Sequence, residues 1–207
     1  MVEIEALSYT RTSVDEILAG VSLTVQPGEV LGLLGEPGAG QMELLQVLAG
    51  DLIPTAGSVR HGGPPDQIRL LHEPAPTPAL RLDLHREAAG GMAVVIATCR
   101  ATTAHALCDR VAILQQGRLR GVRPAADLAP LLAHEHYQIR LRGHLAARAA
   151  RWFEGLHLEL TPAGETVLTG PVADQSTLHG HLARIRDLGL VLLEVRRCEP
   201  PLQLLFA

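Results

Sequence analysis

The residues with the most chemical potential in this 207-residue chain sit in one short loop. Gly35-Glu36-Pro37-Gly38-Ala39-Gly40-Gln41-Met42-Glu43 has the glycine spacing of a phosphate-binding loop, G-x-x-x-x-G. Such glycines let backbone N–H groups converge on an anion at the positive end of the following helix. In its full form the motif continues with a lysine, which reaches the terminal phosphates, and a hydroxyl residue, which binds Mg²⁺. Gln41 and Met42 stand at those two positions. A neutral amide gives a hydrogen bond of about 1 kcal/mol, where a charge-assisted one gives roughly 1.5–3 kcal/mol. A thioether is a poor ligand for Mg²⁺, which takes hard oxygens. Glu36 and Glu43 add negative charge beside a site for a polyanion. Taken alone, the loop is also compatible with an ordinary glycine-rich β–α turn.

A second set of residues, His72, Glu73 and Cys99, would lie near one sheet edge if their strands are adjacent. All three types are Zn²⁺ ligands. The plain alternative is that they have no ligand role. Cys108 and Cys198 are expected to be small buried residues and not reactive thiols. Arg148 and Arg151 are expected on a solvated face.

The elements that must position these residues follow from pattern. Residues 2–7 and 21–25 alternate as strands do, and Pro27-Gly28 makes a turn. Residues 30–34 are a continuous apolar run, as in a strand buried on both faces. The glycine loop then opens a helix over 41–48, closed by Gly50. A short strand over 67–71 precedes a helix started by Thr77-Pro78 and ended by Gly90-Gly91. A buried strand over 92–97, a helix over 102–108, a hairpin of 110–114 with 118–122, and a short helix over 124–133 complete this part. Alternating strands and helices predict an α/β fold with a mainly parallel sheet. The rest reads β-α-β-β-α-β, with strands over 137–141, 156–160, 166–168 and 190–195 and helices over 145–153 and 177–188. That order predicts a small ferredoxin-like α+β domain. The expected division is 1–134 and 135–207.

Composition narrows the classes further. The chain is 47% hydrophobic, too apolar for a disordered segment. With 18 basic against 22 acidic residues and 2% aromatics, it has neither the charge nor the stacking surface of a nucleic-acid binder. Three scattered cysteines form no disulfide framework and suggest a reducing compartment. The start, Met1-Val2-Glu3-Ile4-Glu5, does not read as a secretory signal. No apolar run approaches the roughly 20 residues of a spanning helix. A cytoplasmic protein is expected, reaching the inner face of the cell membrane only through a partner.

Three stretches carry a resemblance. Residues 20–30 resemble the segment before the phosphate loop of ABC transporter ATP-binding subunits, and residues 48–59 the segment after it. Residues 107–114 with Gly117-Arg118-Leu119 resemble the strand pair after that family's switch region. The C-terminal third, ending in Glu199-Pro200-Pro201-Leu202, resembles the accessory domain of the exporter type. The resemblance implies a truncated P-loop NTPase fold, ATP and Mg²⁺ as cofactors, and an ABC membrane domain as partner.

The resemblance also assigns positions, and most are altered. Gln41 and Met42 replace the loop's lysine and hydroxyl. The segment Ile68-Arg69-Leu70-Leu71-His72-Glu73-Pro74 resembles the Walker B strand, with His72 in place of its aspartate. Glu73 stands at the catalytic glutamate. Cys99 replaces the switch histidine, and Arg100 the aspartate after it. The tyrosine that stacks on adenine would fall near Arg11, with Tyr9 close by. Between Gly63 and the Walker B-like strand only Pro64-Pro65-Asp66 and Gln67 remain, where the family has a Q-loop, a helical subdomain and the LSGGQ signature. The expected protein is therefore a degenerate, non-hydrolysing subunit, pairing with itself or with an intact ABC ATP-binding subunit. The alternatives are a subunit retaining nucleotide binding and weak ATPase activity, a His/Cys/Glu metal-binding protein on the same fold, and a decayed copy with no function.

Overall fold

The computed structural model describes residues 1–12, 15–63, 67–145 and 151–202. Its contacts divide the chain into Met1–Ala129 and Pro130–Ala207, a few residues before the expected boundary. The expected helix over 145–153 lies largely outside the described residues, as do Pro64-Pro65-Asp66 and Arg148.

The N-terminal unit contains, in chain order, β1 (Val2–Thr12), β2 (Asp15–Val25), β3 (Val30–Gly35), α1 (Gln41–Ala49), β4 (Ala56–His61), β5 (Ile68–His72), α2 (Pro78–Ala89), β6 (Ala93–Thr98), α3 (Ala101–Leu107), β7 (Arg110–Gln115) and β8 (Arg118–Pro124). A 3₁₀ turn at Ala125–Leu128 and a single α-turn, α4 (Ala129–Leu132), replace the continuous helix expected over 124–133. Strands β5-β6-β3-β7-β8 form one sheet in that order. The first four are parallel, and β8 closes the edge as the antiparallel arm of a hairpin. β3 and β6 are buried at every position, which explains their unbroken apolar sequences. β1, β2 and β4 form a separate antiparallel sheet in the order β2-β1-β4. β4 (Ala-Gly-Ser-Val-Arg-His) has no apolar alternation, and only its pairing with β1 makes it a strand.

Local chemistry sets the helix ends. Thr77 caps α2, its hydroxyl accepting from Leu80 N–H at 3.1 Å, with Pro78 at the first helical position. Gly50 ends α1 at φ 83°, where its N–H reaches the last carbonyls. The core joins both sheets through Leu18, Val21, Leu31, Leu33, Leu44 and Val95.

The C-terminal unit holds β9 (Glu135–Arg142), β10 (His157–Leu160), β11 (Glu165–Val172), α5 (Gln175–Asp187) and β12 (Val191–Cys198). Its sheet order is β10-β11-β9-β12, antiparallel throughout, which is the ferredoxin-like order. Asp174 caps α5 by accepting from Thr177 N–H at 2.7 Å. Ile139, Leu141, Leu168, Leu178 and Ile185 form its core. No helix among the described residues is long and apolar enough to cross a membrane.

Candidate functional site

The glycine loop leaves the carboxyl end of β3, where open α/β sheets place their ligand crevices. Gly38 and Gly40 sit at φ 86° and 100°, conformations that cost other residues about 1–2 kcal/mol. Gly40 is also the N-cap of α1 and offers no capping side chain, so the first N–H groups of the helix face the loop. At Gly40 an added Cβ would meet Leu18 Cδ2 at 2.6 Å, so the site requires glycine twice over. From across the fold, the turn of the β7–β8 hairpin holds the loop in place. Gly117 N–H donates to the Ala39 carbonyl at 3.1 Å, and Gly117 O accepts from Ala19 N–H at 2.9 Å.

β6 lies between β3 and β5, so it brings Cys99 beside both the loop and His72-Glu73. The result is a cavity of about 320 Å³, lined by Pro37, Gly38, Gln41, Met42, His72, Glu73, Ala97, Thr98 and Cys99. Every lining residue named at the loop, strand end and switch positions by sequence is thus in one place. Glu36 and Glu43 are not in its lining. Glu43 pairs with Arg11 at 2.7 Å, so the charge at the adenine-side position is spent on the helix start. Among the described residues no lysine or arginine lines the cavity.

The side chains around it are turned toward each other. Gln41 is buried, and its Nε2 donates back to the Glu36 carbonyl at 3.2 Å. Glu73 adopts φ 44°, a left-handed conformation that a non-glycine residue keeps only when its surroundings impose it. Its N–H donates to Ala97 O at 2.9 Å. Its carboxylate accepts from Cys99 N–H, from the Thr98 hydroxyl at 3.0 Å and from Arg100 Nε at 3.3 Å. Arg100 in turn donates to Pro74 O at 3.3 Å. Burial pushes the Glu73 carboxyl up. The Cys99 N–H and thiol, the Thr98 hydroxyl and the Arg100 charge outweigh it and hold the group below its ordinary value of 4.5. Burial first, then the Glu73 hydrogen bond and charge, push the Cys99 thiol up. A carboxylate so held is a weak proton acceptor, and Cys99 is a poor nucleophile.

His72, Glu73 and Cys99 line the cavity together, yet the metal reading fails. Among the described residues no group of three His, Cys, Asp or Glu side chains is placed to hold a metal ion. The carboxylate such an ion would need is occupied by Cys99, Thr98 and Arg100. Cys108 is buried as expected, its thiol pushed up to about 12 by burial and the Asp109 charge.

Three features of this site have no signal in one dimension. Arg100 reaches Glu73 across 27 residues, Arg11 reaches Glu43 across 32, and Gly117 reaches Ala39 through the hairpin turn. Only the Gln116-Gly117 turn marks the last of them in sequence.

Residues 18–105 match the family model described as ABC transporter. Over those residues the chain is similar to ABC transporter ATP-binding domains. Residues 136–196, beyond it, match a domain of unknown function (DUF8691). The hemin import ATP-binding protein HmuV of Bordetella avium (strain 197N) is 39% identical over 109 residues, which is 49% of this chain and 41% of that protein. HmuV of Pseudomonas entomophila (strain L48) is 44% identical over 63 residues, 30% of this chain and 24% of that protein. The chain thus spans less than half the length of these curated relatives. Among solved structures, an ATP-binding subunit of an ABC transporter aligns with a TM-score of 0.55 at 16% identity, over 64% of this chain and 93% of that one. A nucleotide-free ATP-binding cassette from an ABC transporter aligns with a TM-score of 0.54 at 12% identity, over 64% and 94%. In the nucleotide-binding domain, β4 and β5 are joined by residues 62–67 alone.

The clamp on Glu73 predicts how this domain responds to acid. A carboxyl held below its ordinary value stabilises the fold above that value, and the contribution is lost as pH falls through the lower folded value. Urea midpoints of the natural chain should therefore fall as pH drops below about 4.5, and a Glu73→Gln chain should fall less steeply there. Parallel slopes would show that the clamp contributes no proton linkage.

Proposed function

We propose that this chain is a non-hydrolysing ABC nucleotide-binding subunit, acting through protein contacts as a scaffold or regulatory partner of an ABC exporter. One observation carries the reading: among the described residues the cavity at the phosphate loop has no lysine or arginine in its lining, and its acidic member is Glu73, held ionised. Four phosphate charges would enter a site whose nearby guanidinium, Arg100, is committed to Glu73 and the Pro74 carbonyl. The residues present do not fit Mg²⁺–ATP. Met42 supplies no oxygen for the metal, His72 replaces the carboxylate of the strand end, and the Thr98 hydroxyl is committed to Glu73. Glu73, at the position of the water-activating glutamate, is fixed by four groups where a general base needs a free lone pair. The six-residue link between β4 and β5 leaves no room for a signature segment to close over a partner's nucleotide.

The exporter assignment rests on the C-terminal third and its resemblance to an accessory domain. The HmuV relatives are import proteins by name, and an importer assembly is the competing setting for the same scaffold role. In either, the chain would lie at the inner face of the membrane through its partner, an intact ATP-binding subunit or the membrane domain.

The second reading, a subunit with residual nucleotide binding and weak turnover, draws on the left-handed backbone of Gly38 and Gly40 in the loop. Phosphate release separates the two. The purified chain with Mg²⁺–ATP should release phosphate no faster than a Glu73→Gln control. Release above that control would establish the second reading.

A further inference from the structure

β12 is the end strand of its sheet, paired with β9 on one side and with no described strand on the other. Such an edge offers a row of unpaired N–H and C=O groups, and monomeric proteins usually guard it with charges, bulges or prolines. β12 has a register shift against β9 between Leu192 and Glu194, yet the residues at its start are apolar and open: Val191, Leu192 and Leu193 are 48%, 43% and 39% exposed in succession. Its second half is charged in a way that is complementary to itself. In Val191-Leu192-Leu193-Glu194-Val195-Arg196-Arg197-Cys198, Glu194 and Arg196 are equally spaced about Val195.

We propose that β12 is a self-association edge, at which two copies of this chain pair antiparallel about a twofold axis at Val195 and join two four-stranded sheets into one of eight. In that register Glu194 of each copy lies opposite the partner's Arg196, on the regular part of the strand beyond the register shift between Leu192 and Glu194. Glu194 and Arg196 are opposite Arg140 and Gln138 of β9, so both point to the same sheet face and can meet. Their present contacts are weak ones: Arg140 to Glu194 at 3.4 Å between half-exposed groups, and Arg196 to Gln138. The partner class follows from this self-complementarity: a second copy satisfies both charges at once, which an unrelated strand does only by coincidence. This inference stands whether or not the phosphate loop binds nucleotide, so the two readings fail separately.

Sedimentation equilibrium on the full chain tests it, with three variants. The natural chain should form a dimer that dissociates on dilution. Glu194→Arg and Arg196→Glu should each weaken it by about tenfold or more, because each places like charges opposite each other twice. The double variant, with the charges exchanged, should recover the dimer. Far-UV circular dichroism checks that each variant folds. A natural chain that is monomeric throughout, or a dimer indifferent to both single swaps, would overturn the proposal. So would a chain that associates only when mixed with an intact ABC subunit.

Discussion

A Gln41→Lys, Met42→Ser chain should bind Mg²⁺–ATP about a hundredfold more tightly than the natural chain. The lysine replaces a neutral amide that donates to Glu36 O with a cation at the phosphates, and the serine restores an oxygen for the metal. Each change is worth roughly 1–2 kcal/mol, and about 2.7 kcal/mol together is a hundredfold. The gain depends on the loop backbone already being a phosphate cradle, as Gly38 and Gly40 at φ 86° and 100° indicate. It should not restore turnover, because Glu73 stays clamped by Cys99, Thr98 and Arg100. Titration of a fluorescent ATP analogue into both chains reads the ratio. Equal affinities would mean that the loop is only a β–α turn.

Gly117→Ala should be the most damaging small substitution near the site. Gly117 has φ 73°, and a Cβ there would meet Ile17 O at 2.1 Å and Ile17 C at 2.9 Å. Both are backbone atoms of β2, so no side chain can swing aside. Left-handed strain of about 1–2 kcal/mol adds to an overpacking cost of about 1–3 kcal/mol, giving a loss of roughly 2–5 kcal/mol. For a unit of this size that lowers the melting temperature by about 10 °C or more. The same residue donates to Ala39 O, so the loop should loosen with the hairpin. Thermal melts of Gly117→Ala beside Gly143→Ala control for loss of glycine alone, since Gly143 at φ 90° has no atom within 4 Å of an added Cβ. If the two fall equally, the contact with β2 carries no weight.

How much of this was legible before folding depended on distance along the chain. Residues 30–34 and 92–97 could be read as buried strands because burial on both faces demands unbroken apolar sequence. Thr77-Pro78 and Gly50 marked helix ends because capping is local chemistry. β4 was not legible: nothing in Ala56–His61 alternates, and β1 recruits it from the far end of the loop–helix unit. The length of β2 was equally hidden, since residues 15–20 gain their strand character from cross-strand partners on β1. At the site, the loop spacing identified Gly35 through Glu43, and the strand pattern located His72, Glu73 and Cys99. What the side chains do there was not legible. Arg100 reads in sequence as the loss of an aspartate, but in the fold it is a partner of Glu73. The metal reading of His72, Glu73 and Cys99 was correct about proximity and failed on the occupancy of the carboxylate.

Calorimetric titration of Mg²⁺–ATP into the natural chain shows whether its cavity holds nucleotide. No heat of binding up to millimolar ATP is the result predicted by a lining without lysine or arginine beside an ionised Glu73. Saturable binding in the micromolar range would contradict the account and make the chain a nucleotide-binding subunit in its own right.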